Sequence, residues 1–212
     1  HFDVIINGSG MVGATLACLL AQSGKTVAVI EVSKTCLLND FDSESSYDLR
    51  VSAISRASQK VIERINVWNT ILSMRALPYE VMDVWDAEGD GNVRFEAAEI
   101  GEPDLGHIIE NTVIQSSLIE QLKNNDAVQL FHPSKIVGLS AVDGLQCAEL
   151  DSGEYLRAPL VVGADGPSSA VPQLAGLSVE VEDYGQKGLV SIVKTEYGHQ
   201  DTAWQRFLPG VE

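Results

Sequence analysis

The sequence has few cysteines, and their spacing argues against a disulfide-stabilised protein. Among its 212 residues there are only Cys18, Cys36 and Cys147. An odd count without a Cys-x-x-Cys pair provides no disulfide framework and is typical of reduced thiols in the cytoplasm. Cys18 falls among small and apolar residues, so we expect it in the core. The four histidines are scattered along the chain, and together with these cysteines they predict no metal site.

Positive charge is also scarce. The chain carries 14 Lys and Arg against 30 Asp and Glu, a net charge of −16. Proteins that bind nucleic acid need clustered positive charge to displace counterions from phosphates, so we expect no nucleic-acid partner. The same acidity argues against an electrostatic anchor on anionic lipid. The simplest interpretation of this charge is solubility.

Long hydrophobic runs are missing as well. The most apolar long stretch is Met11–Ala21, about half the length that a bilayer-spanning helix needs. The first residues lead directly into a strand-like segment, without the pattern of a signal peptide. We therefore expect a cytoplasmic protein without a transmembrane segment.

The sequence does contain a glycine motif between a predicted strand and a predicted helix. Gly8-x-Gly10-x-x-Gly13 follows Phe2–Asn7, an apolar segment typical of a buried parallel strand. The small and apolar residues that follow predict a helix over Met11–Ser23. This order of elements is typical of a dinucleotide-binding βαβ unit.

Each glycine of the motif has a distinct physical role. Gly8 allows the tight turn, Gly10 lets a diphosphate approach the backbone, and Gly13 lets the helix pack closely on the strand. The free N–H groups of Met11 and Val12, at the positive end of the helix, can then bind phosphate. An acidic protein can bind a dianion in this way without lysines.

An acidic residue follows at the spacing typical of ribose recognition. After Gly24, which we expect to end the helix, Thr26–Glu31 predicts a second strand. Glu31 lies 18 residues after Gly13, where a carboxylate accepts hydrogen bonds from an adenosine ribose and repels a 2′-phosphate. FAD or NAD is therefore favoured over NADP. The alternatives are a glycine-rich turn without a ligand and a solvated acid at the end of a strand.

A third strand of this kind, which ends in polar residues, is predicted near residue 160. Pro159–Ala164 predicts another buried parallel strand, and it leads into Asp165-Gly166. Ligands of open α/β folds bind at the carboxyl edge of the parallel sheet. We therefore expect this carboxylate and its turn beside the glycine motif.

The combination of motifs resembles the flavoprotein aromatic hydroxylases, the group A monooxygenases. The ubiquinone-biosynthesis hydroxylase branch is the most similar, and the likeness extends over nearly the whole chain. It is carried by "GSGMVGATLACLLAQSGKTVAVIE", "DLRVSAISRASQ", "LGHIIENTVIQSSLIEQL", the Gly-Ala-Asp-Gly segment "GADGPSS" and "DYGQKGLVSIVKTE". The resemblance implies FAD as the cofactor in a Rossmann-like α/β domain that is interleaved with part of a mostly antiparallel β-sheet substrate domain.

The resemblance also implies roles for single residues. Glu31 binds the adenosine ribose of FAD, and Arg50 lies near the flavin and its pyrophosphate; the alternative for Arg50 is a surface ion pair with Asp48. Asp165 and Gly166 contact FAD, and this motif is also linked to the nicotinamide cofactor. A turn without a ligand is the alternative there.

Three further contacts are implied with less support from the residues themselves. Asn111 and Gln115, at the start of the predicted helix "NTVIQSSLIEQL", contact the FAD phosphate or simply cap the helix. The backbone of Val137, on the predicted strand "SKIVGL", lies beside the adenine.

The sequence departs from the family at two points. The family usually has Val-Arg after the serine of the Asp-Gly motif, whereas here Ser169 is followed by Ala170, Val171 and Pro172. We expect the proline to interrupt helix there, which affects the handling of NADH or NADPH more than the binding of FAD. The family also continues well beyond residue 212, so we expect a fragment, the ordered part of a longer protein or a truncated product.

The implied activity is hydroxylation of an aromatic ring, with NADH or NADPH as a transient reductant and O₂ as co-substrate. The leading hypothesis for the substrate is a polyprenylated phenol or quinol of ubiquinone synthesis, with a peripheral position at the membrane or in a ubiquinone complex. A soluble aromatic substrate and a non-catalytic FAD-fold protein are the alternatives. We predict no catalytic side chain and interpret His107 as structural.

The predicted domains alternate along the chain. The FAD-binding domain comprises residues 1–75 and 107–176, and the partial substrate domain comprises 76–106 and 177–212. A helix is predicted over Ser55–Leu72 from its apolar spacing. Hairpins are predicted around Glu88–Asn92 and Asp151–Gly153, and a strand is predicted over Gly188–Glu196.

Overall fold

The computed structural model describes residues 1–33 and 47–209. Cys36, predicted to be a reduced thiol, lies outside the described residues. The strands are β1 (Val4–Asn7), β2 (Val27–Ile30), β3 (Val51–Ser55), β4 (Ala76–Tyr79), β5 (Val81–Asp86), β6 (Asn92–Glu96), β7 (Gly106–Glu110), β8 (Val128–Phe131), β9 (Ile136–Val142), β10 (Leu145–Leu150), β11 (Tyr155–Ala158), β12 (Leu160–Gly163) and β13 (Thr202–Phe207). The helices are α1 (Met11–Gln22), α2 (Arg56–Arg64), α3 (Trp68–Leu72), α4 (Asn111–Lys123) and α5 (Val171–Leu174), with a 3₁₀-helix at Ala97–Ile100.

A parallel sheet lies at the centre of the molecule. Its strand order is β12-β1-β2-β8, and every neighbouring pair is parallel. β1 and β2 are buried along their whole length, as their continuous apolar sequence predicts for strands that are covered on both faces. The predicted βαβ unit is thus confirmed, as is the parallel pairing of the strand near residue 160. The predicted burial of that strand is wrong, because β12 lies at the edge of the sheet and is only partly covered.

The two faces of the parallel sheet are covered differently. Val4 and Ile6 point towards α1 and α4 and share a core with Leu118. Ile5, one position along the same strand, packs on the other side against Leu156 of the antiparallel sheet β11-β10-β9. Because side chains alternate along a strand, one apolar run supports both a helical layer and a second sheet.

Helix α1 ends where the sequence predicts. Gly24 adopts a positive φ of 76°, its N–H donates to the carbonyl of Ala21, and the N–H of Lys25 donates to that of Leu20. These two bonds form a Schellman motif, which needs a left-handed residue that glycine provides without strain. Cys18 is buried in the core beside this helix, as expected.

The single helix predicted over Ser55–Leu72 is wrong, because the structure has two helices there. Asn66 takes a left-handed φ of 61° and donates its N–H to Glu63, while Val67 donates to Ile62, so a Schellman motif closes α2. Apolar residues on both sides of the break enter the same core. The helical spacing of apolar residues therefore continues across the break and conceals it.

Two further sheets complete the fold, one antiparallel and one mixed. β7 pairs with β3 on one side and with β4 on the other. β5 and β6 form the predicted hairpin, and β13 joins β5 in parallel. The hairpin of β10 and β11 is likewise confirmed. The division of the chain into two domains stays a prediction, and its boundary at residue 76 falls at the start of β4, which pairs with β7.

The strand predicted over Gly188–Glu196 is wrong. Residues 177–199 form no strand, and Leu189 is 98% exposed. A strand requires a neighbour for its N–H and C=O groups, and no described strand pairs with this segment. Alternating apolar residues indicate only that a segment can pair.

The expectation that Pro172 interrupts a helix is wrong, because a helix begins at this point of the chain. Pro172 lies in the first turn of α5, which spans four residues. Proline is tolerated there because the N–H groups of the first turn have no intrahelical acceptor. Among the described residues, none of the helices is long and apolar enough to cross a membrane.

Candidate functional site

A cleft of about 330 Å³ opens at the carboxyl edge of the parallel sheet. The ends of β1, β2 and β12 form its floor, the segment before β3 contributes Arg50, and α4 contributes Gln115. The lining residues are Asn7, Gly8, Gly10, Ile30, Glu31, Val32, Arg50, Gln115, Ala164, Asp165, Gly166 and Pro167. Motifs that lie far apart in the sequence thus meet where open α/β folds bind their ligands.

The glycines of the turn after β1 meet different surroundings. Gly8 has a φ of +105°, and a Cβ there would lie 2.5 Å from the carbonyl oxygen of Ala164. A Cβ at Gly13 would collide with the backbone of Gly8, so helix α1 packs directly on the turn. These two glycines are required by the fold itself.

Gly10 is different, because the protein does not require a glycine there. Its φ is −61°, which any residue adopts, and a Cβ would meet no protein atom within 4 Å. Gly10 lines the cleft. The space beside its backbone suits a ligand that approaches closely, as a diphosphate does.

The amino end of α1 faces this space without a competing acid. Gly10 is the N-cap residue, no side chain caps the helix, and its first turn contains no acidic residue. The orphan N–H groups and the positive end of the helix dipole are therefore left for an anion. The side chains of Met11 and Val12 line a separate apolar groove with Leu16 and Ile62, so only their backbone is available to this cleft.

Glu31 is held by two serines. Its Oε2 accepts the N–H of Ser9 at 2.9 Å and the hydroxyl of Ser9 at 2.8 Å. Its Oε1 accepts the N–H and the hydroxyl of Ser33 at 2.9 and 2.7 Å. Burial alone raises the pKa of Glu31, but the hydrogen bonds from Ser33 and Ser9 outweigh it and leave the pKa below its ordinary value. The ionised carboxylate is therefore favoured.

Asp165 is anchored by a residue that the sequence reasoning missed. The side-chain amide of Asn7, buried at the end of β1, donates to Oδ2 of Asp165 at 2.6 Å. The signal that could have identified Asn7 is its position, as a polar residue at the end of an otherwise apolar strand. Ser9 was missed too, because nothing in the glycine motif specifies the residue between its first two glycines.

Arg50 is exposed and lines the cleft. The alternative ion pair with Asp48 is not found, since the guanidinium forms no salt bridge with a described residue. Asp48 instead accepts the backbone N–H of Arg50 at 3.0 Å and that of Thr112 at 3.3 Å. The positive charge of Arg50 is therefore available to the cleft.

The structure places the remaining predicted site residues in different parts of the molecule. Gln115 lines the cleft, whereas Asn111 does not; its side-chain oxygen accepts the hydroxyl of Ser52 at 2.6 Å and fastens the start of α4 to β3. Val137 lies on β9, outside the cleft lining. The loop before β9 is tied to β2 through the N–H of Ser134, which donates to the carbonyl of Glu31. The roles of Asn111 and Val137 stay predictions.

His107 lies outside the cleft lining. It is buried on β7, edge-on to Trp68 with ring centroids 5.0 Å apart. Burial lowers the pKa of His107, and the nearby Asp104 opposes this shift only in part. The neutral imidazole packs here as an aromatic ring.

The chain is similar to enzymes of ubiquinone biosynthesis over 98% of its length. 3-Demethoxyubiquinol 3-hydroxylase of Escherichia coli (strain K12) is 40% identical, with 52% of that enzyme covered. Ubiquinone hydroxylase UbiL of Rhodospirillum rubrum is 35% identical, with 47% covered. The mitochondrial ubiquinone biosynthesis monooxygenase COQ6 of Danio rerio is 33% identical, with 45% covered. The chain thus spans about half the length of these relatives.

Solved structures share the fold. PqsL of Pseudomonas aeruginosa, described as a probable FAD-dependent monooxygenase, matches with a TM-score of 0.69 at 22% identity, covering 87% of this chain and 48% of that one. PieE, a flavin-dependent monooxygenase solved with FAD and substrate, matches with a TM-score of 0.64 at 16% identity, covering 84% and 32%. The predicted fold class is confirmed.

These findings decide between the cofactors that the glycine motif left open. The predicted resemblance to the ubiquinone-biosynthesis hydroxylases is confirmed by the relatives. The open space at Gly10, the uncapped helix end and the ionised Glu31 fit an adenine dinucleotide, and FAD rather than NAD is confirmed as the cofactor by the family. Residues 1–208 match the family model described as FAD binding domain, and the chain belongs to that family.

Proposed function

We propose that this protein is an FAD-dependent monooxygenase that hydroxylates the aromatic ring of a polyprenylated phenol or quinol in ubiquinone biosynthesis. The observation that carries the proposal is the cleft in which Gly10, Glu31, Arg50 and Asp165 meet. The named activities of the relatives, which match nearly the whole chain, support the reaction class.

Each part of the cleft has a proposed task in holding the cofactor. The backbone at Gly10 and the amino end of α1 bind the diphosphate, which carries the charge that this end of a helix favours. Glu31 accepts hydrogen bonds from the adenosine ribose. Arg50 offsets phosphate charge, and Asp165, fixed by Asn7, contacts the flavin side of the cofactor.

The protein's own contribution to the reaction is positioning. Bound FAD, reduced by NADH or NADPH, supplies the activation of O₂ that ring hydroxylation requires. The chain fixes the cofactor at the sheet edge, orients the ring and excludes water. No side chain of the cleft has to act as a nucleophile or general base.

The proposed substrate also suggests where the protein works. A polyprenyl tail is apolar and partitions into the bilayer. We therefore include a peripheral position at the inner face of the membrane in the proposal. The net charge of −16 does not favour adhesion to anionic lipid, so the substrate tail or a partner protein provides the contact.

Binding of FAD is tested first, by the quenching of flavin fluorescence on titration with the purified chain. Glu31→Ala and Arg50→Ala are each expected to raise the Kd for FAD by about tenfold, the loss of one charge-assisted interaction. Arg64→Ala is the matched control, because Arg64 ends α2 outside the cleft lining. A chain that binds no FAD contradicts the proposal.

The reaction is tested in an E. coli strain without 3-demethoxyubiquinol 3-hydroxylase. The chain is expressed alone and joined to the part of that enzyme beyond its match with this chain, and ubiquinone is measured by mass spectrometry. Restored ubiquinone in either form supports the proposal. A fusion that binds FAD but restores none, while the native enzyme does, contradicts the substrate.

A further inference from the structure

All acceptor positions of Glu31 are filled by the chain itself. A carboxylate offers about four lone-pair sites. Ser9 and Ser33 each fill two of them, with one N–H and one hydroxyl per oxygen at 2.7–2.9 Å. An adenosine ribose also brings hydroxyl donors. It can bond to Glu31 only if a serine hydroxyl gives up its place.

The two serines differ in how easily their hydroxyls can move. Ser9 is fully buried, with 0% of its surface exposed. If its hydroxyl left Glu31, it would have no water to bond to, and an unpaired buried hydroxyl is unfavourable. Ser33 is exposed, so its hydroxyl can rotate into solvent and keep a hydrogen bond.

The N–H groups add to this asymmetry. A backbone N–H cannot rotate, so each carboxylate oxygen keeps one bond from its serine whatever the ligand does. Only one of the four donors, the Ser33 hydroxyl, is both free to turn and in contact with solvent. Oε1 is therefore the oxygen that a ribose hydroxyl can reach.

We propose, building on the FAD site described above, that the Ser33 hydroxyl holds the place of a ribose hydroxyl on Oε1 and leaves when the cofactor binds. The buried Ser9 hydroxyl stays on Oε2 and aims the carboxylate. Ser33 thus competes with the cofactor, whereas Ser9 is a positioning residue.

The test measures the Kd for FAD with wild-type protein, Ser33→Ala and Ser9→Ala. Ser33→Ala removes a competitor and is expected to tighten FAD binding about threefold, the equivalent of one modest hydrogen bond. Ser9→Ala loosens the carboxylate and is expected to weaken binding about tenfold, since a hydrogen bond to a charged group is stronger. Ser23→Ala, at the other end of α1, is the control and leaves the Kd unchanged.

A comparison of two further ligands separates an effect on the ribose contact from a general effect on folding. Ser33→Ala is expected to tighten the binding of ADP but not that of 2′,3′-dideoxy-ADP, which has no ribose hydroxyls. Thermal unfolding without ligand shows whether Ser9→Ala is folded, and the Ser33→Ala result stands independently of it. Equal or weaker FAD binding by Ser33→Ala, or an equal gain with the dideoxy compound, overturns the inference. If the wild type itself binds no FAD, the proposed function fails as well.

Discussion

At the scale of single residues, the first two glycines of the motif serve different ends. Gly8 is strained for any other residue, because its φ is +105° and a Cβ would press on the backbone of Ala164. Gly10 has an ordinary φ and open space. The fold requires glycine at the first position and not at the second, where we propose that the ligand requires it.

Alanine at each position separates these requirements. Gly8→Ala is expected to lower the free energy of unfolding by about 1–3 kcal/mol through backbone strain. Gly10→Ala is expected to change it by less than about 0.5 kcal/mol and yet to raise the Kd for FAD at least about tenfold, because the new methyl group occupies the diphosphate's path. Urea unfolding and FAD titration measure the two effects. A Gly10→Ala protein with normal FAD affinity would show that the diphosphate lies elsewhere.

Glu31 gives stability a defined pH dependence. Its pKa in the folded protein lies below the ordinary value of 4.5, so the unfolded chain takes up the proton at higher pH than the folded one. The stabilisation by ionised Glu31 is therefore complete above that value and is lost as the pH falls through the folded pKa.

The comparison with Glu31→Gln separates the contribution of ionised Glu31 to stability from the contributions of the other carboxyl groups. The stability difference between wild type and Glu31→Gln in urea unfolding is expected to be constant near neutral pH and to shrink below pH 4.5. A difference that does not change with pH contradicts the role of the two serines in holding the charged form.

At the scale of elements, one left-handed residue decides where α2 ends. Asn66, exposed at φ 61°, completes the bonds that close the helix, and Trp68 then begins α3 in the same core. Asparagine tolerates this conformation better than most residues, and glycine tolerates it best.

Substitution at this break tests its energetics. Asn66→Gly is expected to raise the free energy of unfolding by about 0.5 kcal/mol, and Asn66→Ala to lower it by about 1 kcal/mol, because only glycine relieves the left-handed strain. Ser73→Gly is the control: Ser73 has a φ of −71°, so glycine there lowers stability. Equal effects of glycine at both positions contradict the assignment of Asn66 as the left-handed residue that closes α2.

At the scale of the whole molecule, the described chain has a packed part and an open part. The central layers bury two clusters of apolar side chains. Residues 177–199 instead expose large apolar side chains, such as Val181 at 86% and Leu189 at 98%. β13 follows this segment and pairs with β5, so the chain returns to the packed part.

Limited proteolysis is expected to reveal this division. Segments with few buried contacts and few backbone hydrogen bonds open most easily, so trypsin should cleave after Lys187 or Lys194 before any site within residues 1–33 or 47–176. The fragments should remain associated through the pairing of β13 with β5. Mass spectrometry identifies the cuts, and gel filtration shows the association. First cleavage after Lys25, Lys123 or Arg157, which lie in the packed part, contradicts this picture.

Much of the site could be predicted because its signals are local. Gly8, Gly10 and Glu31 are specified by spacing along one βαβ unit, and backbone geometry translates that spacing directly into a turn, a helix end and a strand end. The strand wrongly predicted at Gly188–Glu196 could not be judged in this way, since pairing depends on a neighbour that the segment itself does not encode.

The sequence by itself determined the parallel βαβ unit, favoured FAD or NAD over NADP, and placed Glu31 at the end of the second strand. The tertiary structure decided which polar groups meet: Asn7 reaches Asp165 across 158 positions, Asp48 accepts the backbone N–H of Arg50 rather than its guanidinium, and two serines fill the acceptor positions of Glu31. The physical reason is the distance along the sequence over which each interaction acts. Turns and helix ends follow from neighbouring residues, whereas side chains far apart in sequence meet only where the packed sheet brings their strands together.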